Sequence, residues 1–287
     1  MTARILTGKE PAAAQRAEAA ERVAALATGG VSVGLATLLV GDDPASAVYV
    51  GMKHKAAVQA GIKSIDRRLG SEVSQDEVDA AIDELNADPE VSAYIVQLPL
   101  PRHLDTDRAL LRIDPRKDAD GLHALNLGRV MLDLPAPRPA TPSGVLRLLD
   151  FYEIGTSGKN VVIVGRSQLV GRPLSIMLSQ KSRNATVTVA HSATKDLDDV
   201  ARSADILIVA AGSPGLIGGD HVAPGAVVID VGTTKTDSGL AGDVRFDEAV
   251  EVASAITPVP GGIGPMTIAG LLANTVSLAE AARGGTM

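Results

Sequence analysis

Cysteine and tryptophan are absent from this 287-residue chain, and aromatic side chains are nearly so, at two Phe and three Tyr. Without Cys there are no disulfides, thiolate metal sites or cysteine nucleophiles, a composition that fits a reducing compartment. Phe151, Phe246, Tyr49, Tyr94 and Tyr152 are the only rings, so the core must be built from Val, Leu, Ile and Ala. The shortage also argues against a reader of single-stranded nucleic acid, which needs aromatic stacking platforms. A basic excess is missing as well. Against 27 Lys and Arg stand 34 Asp and Glu, a net charge of −7, and no basic run tracks a phosphate backbone. No stretch approaches the roughly 18 uninterrupted apolar residues of a membrane-spanning helix. From Met1 to Gly30, Arg and Glu are scattered among alanines, without the apolar centre of a signal peptide. The expectation is a soluble, cytoplasmic protein with neither a nucleic-acid nor a membrane partner.

What is present is an aliphatic, glycine-rich chain with 45% hydrophobic residues and 29 Gly. A protein of this mass buries about 70–75% of its unfolded surface, ample for a sizeable core. Short apolar runs alternate with helical patterns. Helices are predicted over 11–28, 45–61 and 74–87, the last with a Ser74/Glu77 capping box, and strands over 31–40, 62–69 and 93–98. Four prolines, Pro135, Pro137, Pro139 and Pro142, mark a linker. The alternation then restarts, with helices over 143–152 and 170–179 and strands over 160–164, 185–190, 205–209 and 226–231. A long apolar helix over 267–282 closes the chain. This order indicates βαβ units, mostly parallel sheet and two lobes.

Val161–Val164 followed by Gly165-Arg166-Ser167 and Gly171 is a variant dinucleotide fingerprint. Ser167 replaces the second glycine, and Gly171 comes one residue late. Such a turn aims backbone N–H groups and a helix N-terminus at phosphate. The second strand of the unit runs into His191-Ser192-Ala193-Thr194 and lacks the acid that would hold an NAD ribose. Arg166, beside the first glycine, suits a ribose 2′-phosphate, which favours NADP.

Other residues stand out by placement. Ser46, Tyr49 and Lys53 share one helix face at helical spacing. Gln97 closes a strand ahead of Leu98-Pro99-Leu100-Pro101, at the edge where ligands gather in open α/β sheets. Lys117-Asp118-Ala119-Asp120-Gly121 carries two carboxylates, but no His or third carboxylate completes a metal site, and none is expected. Thr257-Pro258-Val259-Pro260-Gly261-Gly262-Ile263-Gly264-Pro265-Met266-Thr267 is a stiff loop, largely free of side chains, that enters the last helix. Each feature alone reads as readily as ordinary surface or turn.

Together, and in this order, these segments resemble the bifunctional methylenetetrahydrofolate dehydrogenase/cyclohydrolase family, the FolD-type enzymes of one-carbon metabolism. Thr141-Pro142-Ser143-Gly144 adds to the match, which covers nearly the whole chain. The resemblance implies an α/β fold with an N-terminal lobe over 1–140, completed by a C-terminal helix over 266–287. A Rossmann-type NADP-binding domain over 141–265 and a homodimer are implied as well. It further implies Lys53 as the catalytic lysine, with Gln97 beside it. Tyr49 would stack on the folate and Asp120 would bind its pterin. Pro258, Gly261 and Gly262 would line the folate side, and Gly165, Arg166, Ser167, Ser192 and Thr233 would contact NADP. Thr233 stands where Ile is common in the family. The implied reactions are oxidation of 5,10-methylenetetrahydrofolate to the methenyl cation and hydrolysis of that cation to 10-formyltetrahydrofolate. A dehydrogenase-only relative, a shikimate- or malic-type dehydrogenase and a non-catalytic NADP-binding regulator are the alternatives.

Overall fold

The structure, a computed structural model, describes residues 3–237 and 239–284. Through the first half run β1 (Arg4–Ile5), α1 (Lys9–Thr28), β2 (Gly34–Val40), α2 (Pro44–Gln59), β3 (Lys63–Leu69), α3 (Gln75–Ala87), β4 (Ala93–Val96), α4 (Thr106–Arg112) and α5 (Ala124–Met131). The second half holds α6 (Ala140–Phe151), β5 (Asn160–Val164), α7 (Gly171–Ser179), β6 (Thr186–Ala190), α8 (Leu197–Arg202), β7 (Ile206–Val209), β8 (Val227–Asp230), β9 (Thr234–Thr236), β10 (Gly239–Ala241), α9 (Phe246–Ala249), β11 (Ala255–Ile256) and α10 (Ile263–Gly284).

The chain divides into two compact units. A three-stranded unit comprises Ala13–Arg129, Pro135–Ala140 and residues 268–284. A six-stranded unit takes residues 3–12, Val130–Leu134 and the described part of Thr141–Thr267.

In the first, the strands lie in the order β3-β2-β4, all parallel. Every residue of β2 is buried, as a central parallel strand covered on both faces requires. Its side chains alternate between two cores. Leu35, with Ala93 and Ile95 of β4, packs with Val23, Ala57, Leu272 and Val276 of α1, α2 and α10. Ala36, Leu38 and Val40, with Tyr94 and Val96, pack with Val78, Ile82 and Leu110 of α3 and α4. β3 takes the edge with exposed Lys63, Asp66, Arg67 and Arg68, charges that discourage further strand pairing. The predicted capping box opens α3. The sequence pattern did not predict α4. It is tied to α3 by Arg108 donating to Asp79 at 2.8 Å and Arg112 donating to Asp83 at 2.6 Å.

The six-stranded sheet is parallel throughout, in the order β1-β11-β8-β7-β5-β6. From β5 onward this is a doubly wound arrangement whose order reverses between β5 and β7, the point where such sheets bind ligands. The residues before Ala12, expected with the N-terminal lobe, group with this unit. β1 pairs with β11, the Arg4 guanidinium lies 4.8 Å above the Tyr152 ring, and the Tyr152 hydroxyl donates to the Thr7 carbonyl at 2.8 Å. A two-residue strand has no periodicity to reveal it. The expected linker is also partly helical: Pro142 sits in the first turn of α6, where its missing N–H costs nothing. Likewise α10 begins at Ile263, ahead of the predicted Thr267, with Pro265 in its first turn.

Leu38 is fully buried in the middle of the three-stranded sheet. Truncation there removes apolar burial and leaves a cavity, so Leu38→Ala should lower stability by roughly 2–5 kcal/mol. Urea unfolding checks this, and an unchanged midpoint would contradict the packing described.

Candidate active site

In the three-stranded unit, α2 starts at a tight connection from β2. Asp43 caps it by accepting the Ser46 N–H at 2.7 Å, and Pro44 occupies the first turn. This start sets the phase of the helix. Ser46 and Lys53 are buried, and Tyr49, one turn before Lys53, is half-buried. Lys55 is exposed on the same helix.

Gln97 follows β4 directly and is fixed by its own N–H, which donates to the Leu38 carbonyl at 2.8 Å. Its side-chain amide donates to the Leu98 carbonyl at 2.7 Å, which turns Oε1 toward Lys53. Lys53 Nζ donates to that oxygen at 2.9 Å. Burial lowers the pKa of Lys53, and the negative charge of Asp120 partly offsets this. Asp120 experiences the converse. Burial raises its pKa, Lys53 pulls it down, and Asp118 pushes it up again. Lys53, Gln97 and Asp120 are therefore one electrostatic group, assembled from α2, the end of β4 and the loop after β4.

The loop carrying Asp120 is held by a residue read from the sequence only as half of an incomplete metal pair. Asp118 is buried and accepts from Gly121 N–H at 3.0 Å, His123 N–H at 2.8 Å and Asn126 Nδ2 at 2.9 Å. The spacing Asp118-x-x-Gly121 is the signal that could have found it, an aspartate closing its own turn. Asn274 of α10 adds a bond to the Ala119 carbonyl at 2.8 Å. Gly121 has φ +69°, and a Cβ there would stand 2.5 Å from the Arg138 carbonyl carbon, so the turn requires glycine.

The remaining predicted residues belong to the six-stranded unit. Gly165 directly follows β5 with φ +129°, and a Cβ on it would meet the Ala210 carbonyl oxygen at 2.1 Å. Gly171, the late third glycine, packs its α-carbon on Gly165, where a Cβ would lie 2.0 Å from the Gly165 carbonyl oxygen. It therefore performs the close helix–strand packing of the fingerprint despite its shifted position. α7 starts at Gly171 with no side-chain cap, leaving its N-terminus to backbone N–H groups. Arg166 and Ser167 are exposed on this turn. Ser192 is exposed in the turn after β6, which closes through His191 N–H to Thr194 Oγ1 at 2.9 Å. Thr233 is exposed between β8 and β9. Pro258 and Gly261 are half-buried and Gly262 is buried in the segment before α10. The glycine cradle and the uncapped helix fit a dinucleotide phosphate.

Residues 6–120 match the tetrahydrofolate dehydrogenase/cyclohydrolase catalytic domain, and residues 139–283 match the NAD(P)-binding domain of the same family. The chain belongs to the tetrahydrofolate dehydrogenase/cyclohydrolase family. The bifunctional protein FolD of Nitratidesulfovibrio vulgaris is 53% identical over 275 residues, covering 95% of this chain and 96% of that protein. Among solved structures, the bifunctional FolD of Campylobacter jejuni is 46% identical with a TM-score of 0.93, covering 96% of this chain and 98% of that one. The Trypanosoma brucei methylenetetrahydrofolate dehydrogenase-cyclohydrolase, solved with NADP and an inhibitor, is 38% identical with a TM-score of 0.93 and 99% coverage of both chains.

A lysine buried in this way leaves a signature in stability. The folded state holds the Lys53 proton less tightly than the unfolded chain does, so its charged form is penalised at low pH. That penalty is relieved as pH rises through the lowered folded pKa toward the unfolded value of about 10.4. Lys53→Met should therefore remove part of the pH-dependent gain in stability on this alkaline side. Urea unfolding of both proteins from pH 7 to 10 checks this, and parallel curves would count against it.

Proposed function

We propose that the three-stranded unit holds the folate and the six-stranded unit holds NADP, and that Lys53, Gln97, Tyr49 and Asp120 carry the chemistry. The enzyme oxidises 5,10-methylenetetrahydrofolate to 5,10-methenyltetrahydrofolate and hydrolyses that product to 10-formyltetrahydrofolate. Bound NADP+ supplies a hydride acceptor. The protein's part in the first step is orientation. The Asp120 carboxylate accepts N–H donors of the pterin edge, and the Tyr49 ring stacks on the flat part of the substrate. Pro258, Gly261 and Gly262 are read as folate contacts on the family resemblance.

Hydrolysis makes the greater demand on side chains. Water adds to the cationic methenyl carbon and must lose a proton as the C–O bond forms. The ring then opens when a C–N bond breaks and its nitrogen takes up a proton. Lys53 suits both transfers, because burial lowers its pKa and favours the neutral amine that can act as a base. A cationic substrate beside it pushes in the same direction. Gln97 holds the amine in place. The observation that carries this reading is the buried Lys53 amine, 2.9 Å from Gln97 Oε1, with the Asp120 charge partly offsetting the effect of burial.

Gly165, Arg166, Ser167, Ser192 and Thr233 form the proposed NADP contacts, with Arg166 meeting the 2′-phosphate. The absence of an acid after β6 supports NADP over NAD. A cytoplasmic homodimer completes the reading. β6 is an edge strand with half-buried Val187 and Val189, the kind of strand that a second copy can cover. Sedimentation at micromolar concentration tests the dimer. No helix among the described residues is long and apolar enough to cross a membrane.

Two assays test the assignments. Lys53→Met should lose about 100-fold or more of cyclohydrolase turnover, followed by decay of methenyltetrahydrofolate absorbance, in line with general acid–base contributions of roughly 10²–10⁴. Full activity in a folded variant would refute the role of Lys53. Arg166→Ala should raise the KM for NADP about tenfold or more, the loss of one charge-assisted contact, and leave that for NAD nearly unchanged. Equal effects on both nucleotides would remove Arg166 from the 2′-phosphate.

A further inference from the structure

The six-stranded unit buries two carboxylates at the C-terminal edge of its sheet. Asp230, the last residue of β8, is 3% exposed, and Asp243 is 0% exposed. A single oxygen of Asp243, Oδ2, accepts the N–H groups of Ala211 at 2.7 Å and Gly212 at 2.8 Å, in the loop directly after β7. Asp230 accepts from Gly232 at 2.9 Å, Asp243 at 3.1 Å and Val244 at 3.0 Å. Its own N–H donates to Thr257 Oγ1 at 2.7 Å, at the head of the Pro258–Gly262 segment. The two aspartates thus tie together the segments that follow β7, β8 and β11.

The packing leaves no slack. A Cβ on Gly232 would stand 2.3 Å from Asp243 Cγ, and one on Gly242 would stand 2.0 Å from Asp230 Oδ2. The arrangement is costly in isolation. Among the described residues the buried Asp243 Oδ1 has no hydrogen-bond partner, and burial pushes Asp230 up to about 6 against three backbone N–H groups that favour its charge. Such a cost points to what the carboxylate holds. Ala210 and Ala211 form the wall that Gly165 faces: a Cβ on Gly165 would lie 2.1 Å from Ala210 O and 3.3 Å from Ala211 N. Asp243 Oδ2 accepts that same Ala211 N–H.

We propose that Asp243 is a positioning residue for the dehydrogenase step: by holding the Ala211 and Gly212 N–H groups it fixes the loop after β7 against the Gly165 turn, and so sets the seat of NADP. This rests on the reading of the six-stranded unit as the NADP holder. Hydrolysis of methenyltetrahydrofolate consumes no nucleotide, so the two activities separate the role of Asp243 from a general loss of fold.

The experiment compares the full-length wild type with Asp243→Ala and Asp243→Asn. It measures dehydrogenase kcat and the KM for NADP, cyclohydrolase activity from methenyltetrahydrofolate, and amide exchange at Ala211 and Gly212. Asp243→Ala should raise the KM for NADP at least tenfold, with cyclohydrolase activity within twofold of wild type and faster exchange at both amides. Asp243→Asn keeps an oxygen that can accept both N–H groups, so it should stay within threefold in KM with protected amides. If the Ala variant does not fold, the Asn variant decides alone: protected amides with a near-normal KM support the role. Exposed amides with a normal KM, or protected amides with a KM raised tenfold, overturn it. An Ala variant with unchanged KM and kcat, or one that loses both activities together, also overturns it. Absence of NADP-dependent oxidation in the wild type would instead refute the underlying reading of the six-stranded unit.

Discussion

A lysine amine held out of water is the constraint on which the catalytic account depends. Lys53 is buried on α2 and donates a hydrogen bond to a neutral amide oxygen, that of Gln97. Asp120 supplies charge without a direct salt bridge, so each group perturbs the other while neither is neutralised by close pairing. Much of the three-stranded unit serves this balance. The cap at Asp43 sets the phase of α2, the backbone bond from Gln97 to Leu38 fixes the end of β4, and Asp118 gathers three donors to fix the turn that bears Asp120. The cost of burying an amine and a carboxyl is carried by an aliphatic core on both faces of a fully buried central strand.

The six-stranded unit follows the same logic with different materials. Close approach of backbones replaces side chains at the phosphate turn, where Gly165 faces Ala210 and Gly171 packs on Gly165. Rigidity at that turn comes from carboxylates that bind only backbone N–H groups. In both units, then, a buried aspartate gathers backbone N–H groups and fixes a loop: Asp118 in one, Asp243 in the other.

The alternating architecture was legible in the sequence because β2, β4, β5 and β7 are short, continuous apolar runs, and the Ser74/Glu77 box announced α3 in plain terms. Elements too short to show a period escaped: β1 and β11 have two residues each, and α4 owes its place to Arg108 and Arg112 reaching α3. In the site, spacing alone put Tyr49 and Lys53 on one helix face. That Gln97 meets Lys53 depends on where two separate elements end, which no local pattern encodes. Nor does sequence show that a carboxylate is buried. Asp118, Asp230 and Asp243 look like ordinary turn and strand-end acids, and the flanking Gly121, Gly232 and Gly242 are the only hint of crowding.

The protonation of one amine decides the chemistry, and it can be observed directly. An NMR titration of the Lys53 side-chain nitrogen in the ligand-free wild type and in Asp120→Asn measures it. The account predicts a pKa below the ordinary lysine value of about 10.4 in the wild type, and a lower one still once the carboxylate charge is removed. An unshifted wild-type value, or a rise in Asp120→Asn, would contradict it.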